Sequence, residues 1–186
     1  MKIDWTPPMP KSGMEKFIGP GATRAEIWLQ SLVPVLAIVV ALYLAPEWSA
    51  LQQIVAALLV GDIVGGIITN ATSTAKRWYH REGQGRWQHM GFISLHFIQL
   101  SVFNAVFMEF SLLWIAITGG FMLLASWLVL VMPLYLQRPV ALTLYSLGLV
   151  LSLYVFDSPA GLEWFLPFFY LKLLVSHILK EAPYRP

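Results

Sequence analysis

The chain has 186 residues, of which 58% are hydrophobic and 12% charged, with a mean hydropathy of +0.66. That composition excludes an ordinary soluble domain, and its apolar residues fall in blocks long enough to cross a bilayer. A formal net charge of +2 argues against a nucleic-acid partner, and the absence of cysteine excludes disulfides, thiolate metal sites and a cysteine nucleophile.

Residues 1–25 form a cytoplasmic lead-in, Pro- and Gly-rich in "DWTPPMPKSG" and "IGPG". Acids among the bases (Asp4, Glu15) and the lack of a small-x-small cleavage pattern argue against a signal peptide, so the first apolar run reads as a retained anchor. Runs of about 18 to 22 apolar residues predict spans near 26–45, 50–71, 88–108, 111–133, 139–156 and 162–180, punctuated by Pro46, Glu109–Ser111, Gln137–Pro139 and Asp157–Gly161. Eleven of the twelve Lys and Arg residues lie in the lead-in, the second-to-third connection, the fourth-to-fifth connection and the tail. The opposite connections carry Glu47, Glu109, Asp157 and Glu163 instead, which satisfies the positive-inside rule with both termini in the cytoplasm. Trp5, Trp28, Trp48, Trp78, Trp87 and Trp164 fall near the span ends, as interfacial anchors do. The fold expected is all-α: a polytopic membrane protein, a six-transmembrane-helix bundle forming one domain over 26–180. A basic cytoplasmic connection over 72–87 and a tail over 181–186 complete the chain, in a bacterial cytoplasmic membrane.

The first span carries a stripe of Ala37, Ala41 and Ala45. In a six-span chain of this length the stripe resembles the substrate-binding subunits of vitamin-importing energy-coupling transporters. That likeness implies a solute-binding subunit and carries no residue role to this chain, because an importer's site must be reachable from outside and the polar residues here lean toward the cytoplasm.

Ionisable residues at membrane depth are costly and normally face the bundle interior. Asp62, His96 and Lys172 lie roughly 14, 13 and 12 Å from the cytoplasmic ends of their spans, so three helices place a carboxylate, an imidazole and an ammonium in one layer. Such a layer is either a catalytic site or a clasp in which the charges neutralise one another. Asp62 shares a helix face with Gly65, Gly66 and Asn70, where the glycines either permit close helix contact or leave room for a substrate. Gln99, Asn104 and Ser176 read as interhelical hydrogen-bond groups.

A second layer nearer the cytoplasm contains His89, His177 and Asn70. His89 and His96 stand roughly 10 Å apart along one helix, too far to ligate one metal, and the depths of His96 and His177 differ by roughly 8 Å, which argues against haem. A metal shared by His89, His177 and either His80 or Asn70 has compatible depths but no diagnostic motif, so metal and cofactor are left open. In "AKRWYHREGQGRWQH", Arg77, Arg81 and Arg86 mix with Trp78, Tyr79 and Trp87, a composition suited to gripping an anionic head at headgroup level. Together these features favour an enzyme acting by acid/base chemistry on an amphiphilic, anionic lipid or polyprenyl-type substrate. In it Asp62, His96 and Lys172 are catalytic, while Asn70, Arg77, His80, Arg81, Arg86, His89 and His177 bind substrate. Membrane lipids are the partners expected, with a homo-oligomer or larger membrane complex also compatible. The alternatives are a small-solute carrier or transporter subunit, in which the charged layer couples ions, and an assembly subunit, in which it only pairs helices.

Overall fold

The computed structural model describes residues 2–44, 47–156 and 158–185. Ala45, Pro46, Asp157 and Pro186, which figure in the expectations above, lie outside them. The described chain is helical apart from loops and a two-residue antiparallel pairing of Lys2–Ile3 with Tyr184–Arg185, which joins the two ends of the chain. Five of its helices are long and apolar enough to cross a membrane: α2 (Arg24–Tyr43), α3 (Ala50–Ala71), the broken helix α5–α6 (Arg86–Leu95 and Phe97–Phe107), α7 (Leu112–Val131) and α8 (Leu134–Tyr154). Short helices α1 (Gly13–Ile18) and α4 (Ser73–Tyr79) lie before α2 and after α3. The predicted sixth span is instead a shorter apolar segment, α9 (Phe165–Tyr170) running into a π-helical turn, Leu171–His177.

Local chemistry explains the boundaries. Helix α2 starts at a capping box in which Thr23 N–H donates to Glu26 Oε2 at 2.8 Å and Glu26 N–H to Thr23 Oγ1 at 3.2 Å. Ser49 and Gln52 repeat the device at the start of α3. The α5–α6 break falls on His96 because its ring Nδ1–H takes the Phe92 carbonyl at 2.9 Å, the acceptor that its own backbone N–H would use in a regular helix. That N–H turns to Ile93 O at 3.0 Å. The segment of α9 and the π turn lies inside the bundle, where Phe165, Phe169, Tyr170, Leu173 and Leu174 are all fully buried. Phe103 of α6 stacks on Phe165 with centroids 3.8 Å apart, and Tyr170 donates to Thr118 O of α7 at 3.1 Å.

The π turn has a further effect. A turn of π-helix holds more residues than one of α-helix, so positions five apart come nearly into line. Lys172 and His177 therefore both face α3, the first at Asp62 and the second at Asn70.

The basic connection is not an open loop. Thr72 accepts from Ala75 N–H at 3.2 Å and so starts α4 directly after α3. Lys76 is buried and donates to Ser176 O at 2.6 Å and Leu179 O at 2.7 Å, closing the carbonyl end of the π segment. Arg77, 1% exposed, donates to Pro20 O at 3.1 Å and lies 3.7 Å from Asp4, holding the lead-in. Glu26 of α2 accepts from Thr74 Oγ1 at 2.8 Å. Lead-in, α4 and tail are thus tied together at one end of the bundle.

Candidate functional site

A groove of about 480 Å³ opens between α3 and α5–α6, roofed by Phe17 and Tyr79 and walled in part by Leu95 and Ile98. Its polar floor is the acid–imidazole–amine layer. Lys172 Nζ donates to Asp62 Oδ2 at 2.5 Å, Gln99 Nε2 donates to the same oxygen, and His96 lines the wall beside them. The structure therefore brings Asp62, His96 and Lys172 to one place, with Gln99 as the acid's second partner. Gln99 had a signal in the sequence: it stands one helical turn from His96, a polar residue within an apolar run.

The pair is lopsided. The side chain of Lys172 is 3% exposed and that of Asp62 is 52% exposed, so the acid opens into the groove while the amine is spent behind it. Gly66 is what admits the amine: a Cβ there would lie 2.4 Å from Lys172 Cε. Gly65 faces Pro34 of α2 and Gly61 faces Ile38, so these two serve close helix contact.

A second polar cluster lies next to the groove. Asn70 Nδ2 donates to Gly66 O at 2.8 Å, which turns its Oδ1 toward His177 Nδ1 at 3.2 Å. An amide oxygen only accepts, so His177 Nδ1 carries the hydrogen, and in the neutral ring Nε2 is an acceptor. His89 Nδ1, 3.1 Å away, is then the donor. His80 Nε2 lies 3.0 Å from the backbone oxygen of His177 and must donate to it. Burial pushes the His80 imidazole down to about 3, with His89 and Lys76 adding to the effect, so this ring is neutral at physiological pH. Phe92 stacks on His177 with centroids 4.2 Å apart. His80, His89, His177 and Asn70 thus gather as the sequence expects, but by direct ring-to-ring and ring-to-amide bonds. Among the described residues no group of three or more His, Asp or Glu side chains converges on a point where a metal ion would sit. The shared-metal alternative has no such geometry because His177 Nε2 is occupied by His89 Nδ1.

The expected arginine grip is not assembled. Arg77 is buried under the lead-in, and Arg81 folds back so that its Nη1 donates to Trp78 O at 2.5 Å and its guanidinium covers the Trp78 ring at 3.6 Å. Arg86 is exposed at the start of α5 and does not line the groove. Sequence reasoning missed the clamp of Lys76 on Ser176 and Leu179 and that of Glu26 on Thr74; its only trace is the Thr72-Ser73-Thr74 capping signal after α3. Burial pushes the Lys76 ammonium down to about 8, with Glu181 opposing the shift, and burial raises the Tyr79 phenol. Of the alanine stripe, Ala37 and Ala41 line an apolar crevice between α2, α3 and the Trp164–Phe168 edge of α9.

No protein-family model, curated protein or solved structure matches this chain.

Proposed function

We propose that the protein is an integral protein of the bacterial cytoplasmic membrane that takes an amphiphile sideways from the bilayer into the α3/α5–α6 groove and carries out acid/base chemistry on its head. Both termini are cytoplasmic in this reading. It is supported by the basic residues of the lead-in and α4 lying at one end, and by the pairing of the two chain ends, which calls for an even number of crossings with α9 and the π turn as the sixth.

The observation that carries the proposal is the exposure of Asp62 within a groove whose rim, Leu95, Ile98 and Phe17, is apolar. An apolar rim over a polar floor suits a molecule with a tail and a head. His96 is the proton acceptor: its Nδ1–H is committed to Phe92 O, which leaves the Nε2 lone pair for the ligand. Asp62, held on one oxygen by Lys172 and Gln99, orients the head and balances charge gained at the imidazole.

Native mass spectrometry of the protein released from its own membrane tests this. A bound lipid should be present, and Leu95→Trp, which fills the groove from its exposed wall without touching the polar floor, should remove it. Asp62→Asn and His96→Ala should keep the fold and lose turnover of that lipid. Absence of bound lipid, or identical occupancy in Leu95→Trp, defeats the proposal.

A further inference from the structure

Counting donors and acceptors around the groove goes beyond a generic amphiphile and bears on the head it accepts. The donors around the groove each have an acceptor within the protein. Lys172 Nζ and Gln99 Nε2 both donate to Asp62 Oδ2, Asn70 Nδ2 donates to Gly66 O, and the Tyr79 hydroxyl donates outward to Phe17 O at 2.9 Å. Two acceptors at the groove remain without a protein partner, Asp62 Oδ1 and His96 Nε2; Gln99 Oε1 also lacks one but is sealed from the groove. Thr69 adds one hydroxyl able to act in either sense.

A phosphate head brings only acceptors and negative charge, so it would meet a carboxylate and an imidazole lone pair. The one cation within reach, Lys172, is buried behind the acid it neutralises, and the arginines are committed elsewhere or outside the groove. An ammonium head would add positive charge beside Lys172, whose carboxylate partner is already neutralised. A neutral head with hydroxyl groups meets neither objection. Its O–H groups donate to the two idle acceptors, and the net charge balance of the site is left undisturbed.

We infer that the groove selects a neutral, hydroxyl-bearing lipid head, such as a glycerol or a free long-chain alcohol, and rejects a phosphorylated one. This rests on the groove being an amphiphile site, and it replaces the anionic head expected from the basic connection. Hydroxyl recognition by Asp62 Oδ1 and His96 Nε2 also sets a substrate O–H against the imidazole lone pair, the arrangement that proton removal requires.

The test uses the full chain in phosphatidylcholine nanodiscs, titrated with 1-oleoylglycerol or with 1-oleoylglycerol 3-phosphate, which share a tail and differ in the head. Tm and native mass spectra report binding. The neutral lipid should raise Tm and bind at least about tenfold more tightly than the phosphate, the ratio for one hydrogen bond kept or lost. His96→Leu should weaken the neutral lipid by about tenfold, and Leu95→Trp should abolish its binding. Equal or tighter binding of the phosphorylated lipid, abolished by Leu95→Trp, overturns the head selectivity and leaves the groove as an amphiphile site. Binding of neither lipid, or binding indifferent to Leu95→Trp, overturns both.

Discussion

Replacing Gly66 with alanine tests whether the Asp62–Lys172 pair depends on a missing side chain. The new Cβ would lie 2.4 Å from Lys172 Cε and 2.9 Å from Cδ, about 1 Å short of carbon–carbon contact. A free lysine would swing away at little cost, but this one is buried and its Nζ is held 2.5 Å from Asp62 Oδ2. Moving the stem by about 1 Å takes that bond out of hydrogen-bonding range. Stranding one member of a fully buried pair costs about 3–5 kcal/mol. Asp62 is half exposed and regains water, so about 2 kcal/mol is the reasonable figure. For a chain of this size that is a fall in Tm of about 6 °C. Thermal unfolding in detergent, followed by tryptophan fluorescence, measures it. Lys172→Ala removes Cγ, Cδ and Cε, so Gly66→Ala added to it should cost almost nothing, and the coupling in the four-protein cycle should equal nearly the whole single-mutant loss. An equal loss in both backgrounds, or none in either, refutes the reasoning.

Nitrogen NMR of labelled histidine should find the Nδ1–H tautomer at His89, His96 and His177 and the Nε2–H tautomer at His80; any other assignment breaks the donor chain set by Asn70 and the backbone oxygens. Asn70→Leu removes the acceptor of the His177 Nδ1–H and should destabilise by about 1–3 kcal/mol, read as a lower Tm. For Lys76 the folded ammonium sits at about 8 and the unfolded one at 10.5, so the folded state disfavours the charge. The cost, about 3 kcal/mol, is fully present below pH 8 and is relieved as pH rises toward 10.5. Stability should therefore climb across that window in the parent relative to Lys76→Met, and parallel pH profiles would remove the argument. Arg77→Gln should free the lead-in from Pro20 and Asp4, seen as faster tryptic cleavage after Lys11 and Lys16 with the helical bundle intact.

The layer of Asp62, His96 and Lys172 was legible because helix rise converts residue number into depth, and three independent spans gave nearly one value. Gln99 was legible as an interhelical hydrogen-bond group, though not as a partner of Asp62. Depth says nothing about azimuth beyond the face of each helix, and azimuth decides what a cation does. Lys76 and Arg77 read as part of a basic cytoplasmic connection, with Arg77 gripping an anionic head, yet Thr72 starts a helix that turns both inward onto the π segment and the lead-in. The π turn had no signature in composition or periodicity. Its effect, Lys172 and His177 on one side despite a spacing of five, is visible only once the backbone is known. The break at His96 was hidden for a related reason: a histidine in an apolar run interrupts a helix only when its ring takes the carbonyl four residues back.

Whether the acid–amine pair is a clasp or part of a working site turns on saturation. A clasp exists to neutralise polar atoms, so it should leave none idle in an apolar setting, where an unmade hydrogen bond costs about 1–3 kcal/mol. The adjoining layer meets that standard at its centre: Asn70 uses both its oxygen and its nitrogen, and His177 uses both ring nitrogens. The groove layer departs from it by leaving Asp62 Oδ1 and His96 Nε2 open to the groove without a protein partner. A bundle optimised for pairing alone would turn Gln99 or His96 to close that deficit, since both lie beside the acid. Leaving two acceptors facing a cavity is a cost that water or a hydroxylic ligand offsets, and a cavity with an apolar rim retains a lipid alcohol better than water. The acceptors left open to the groove, more than the presence of charge, are therefore the feature that favours a site over a clasp.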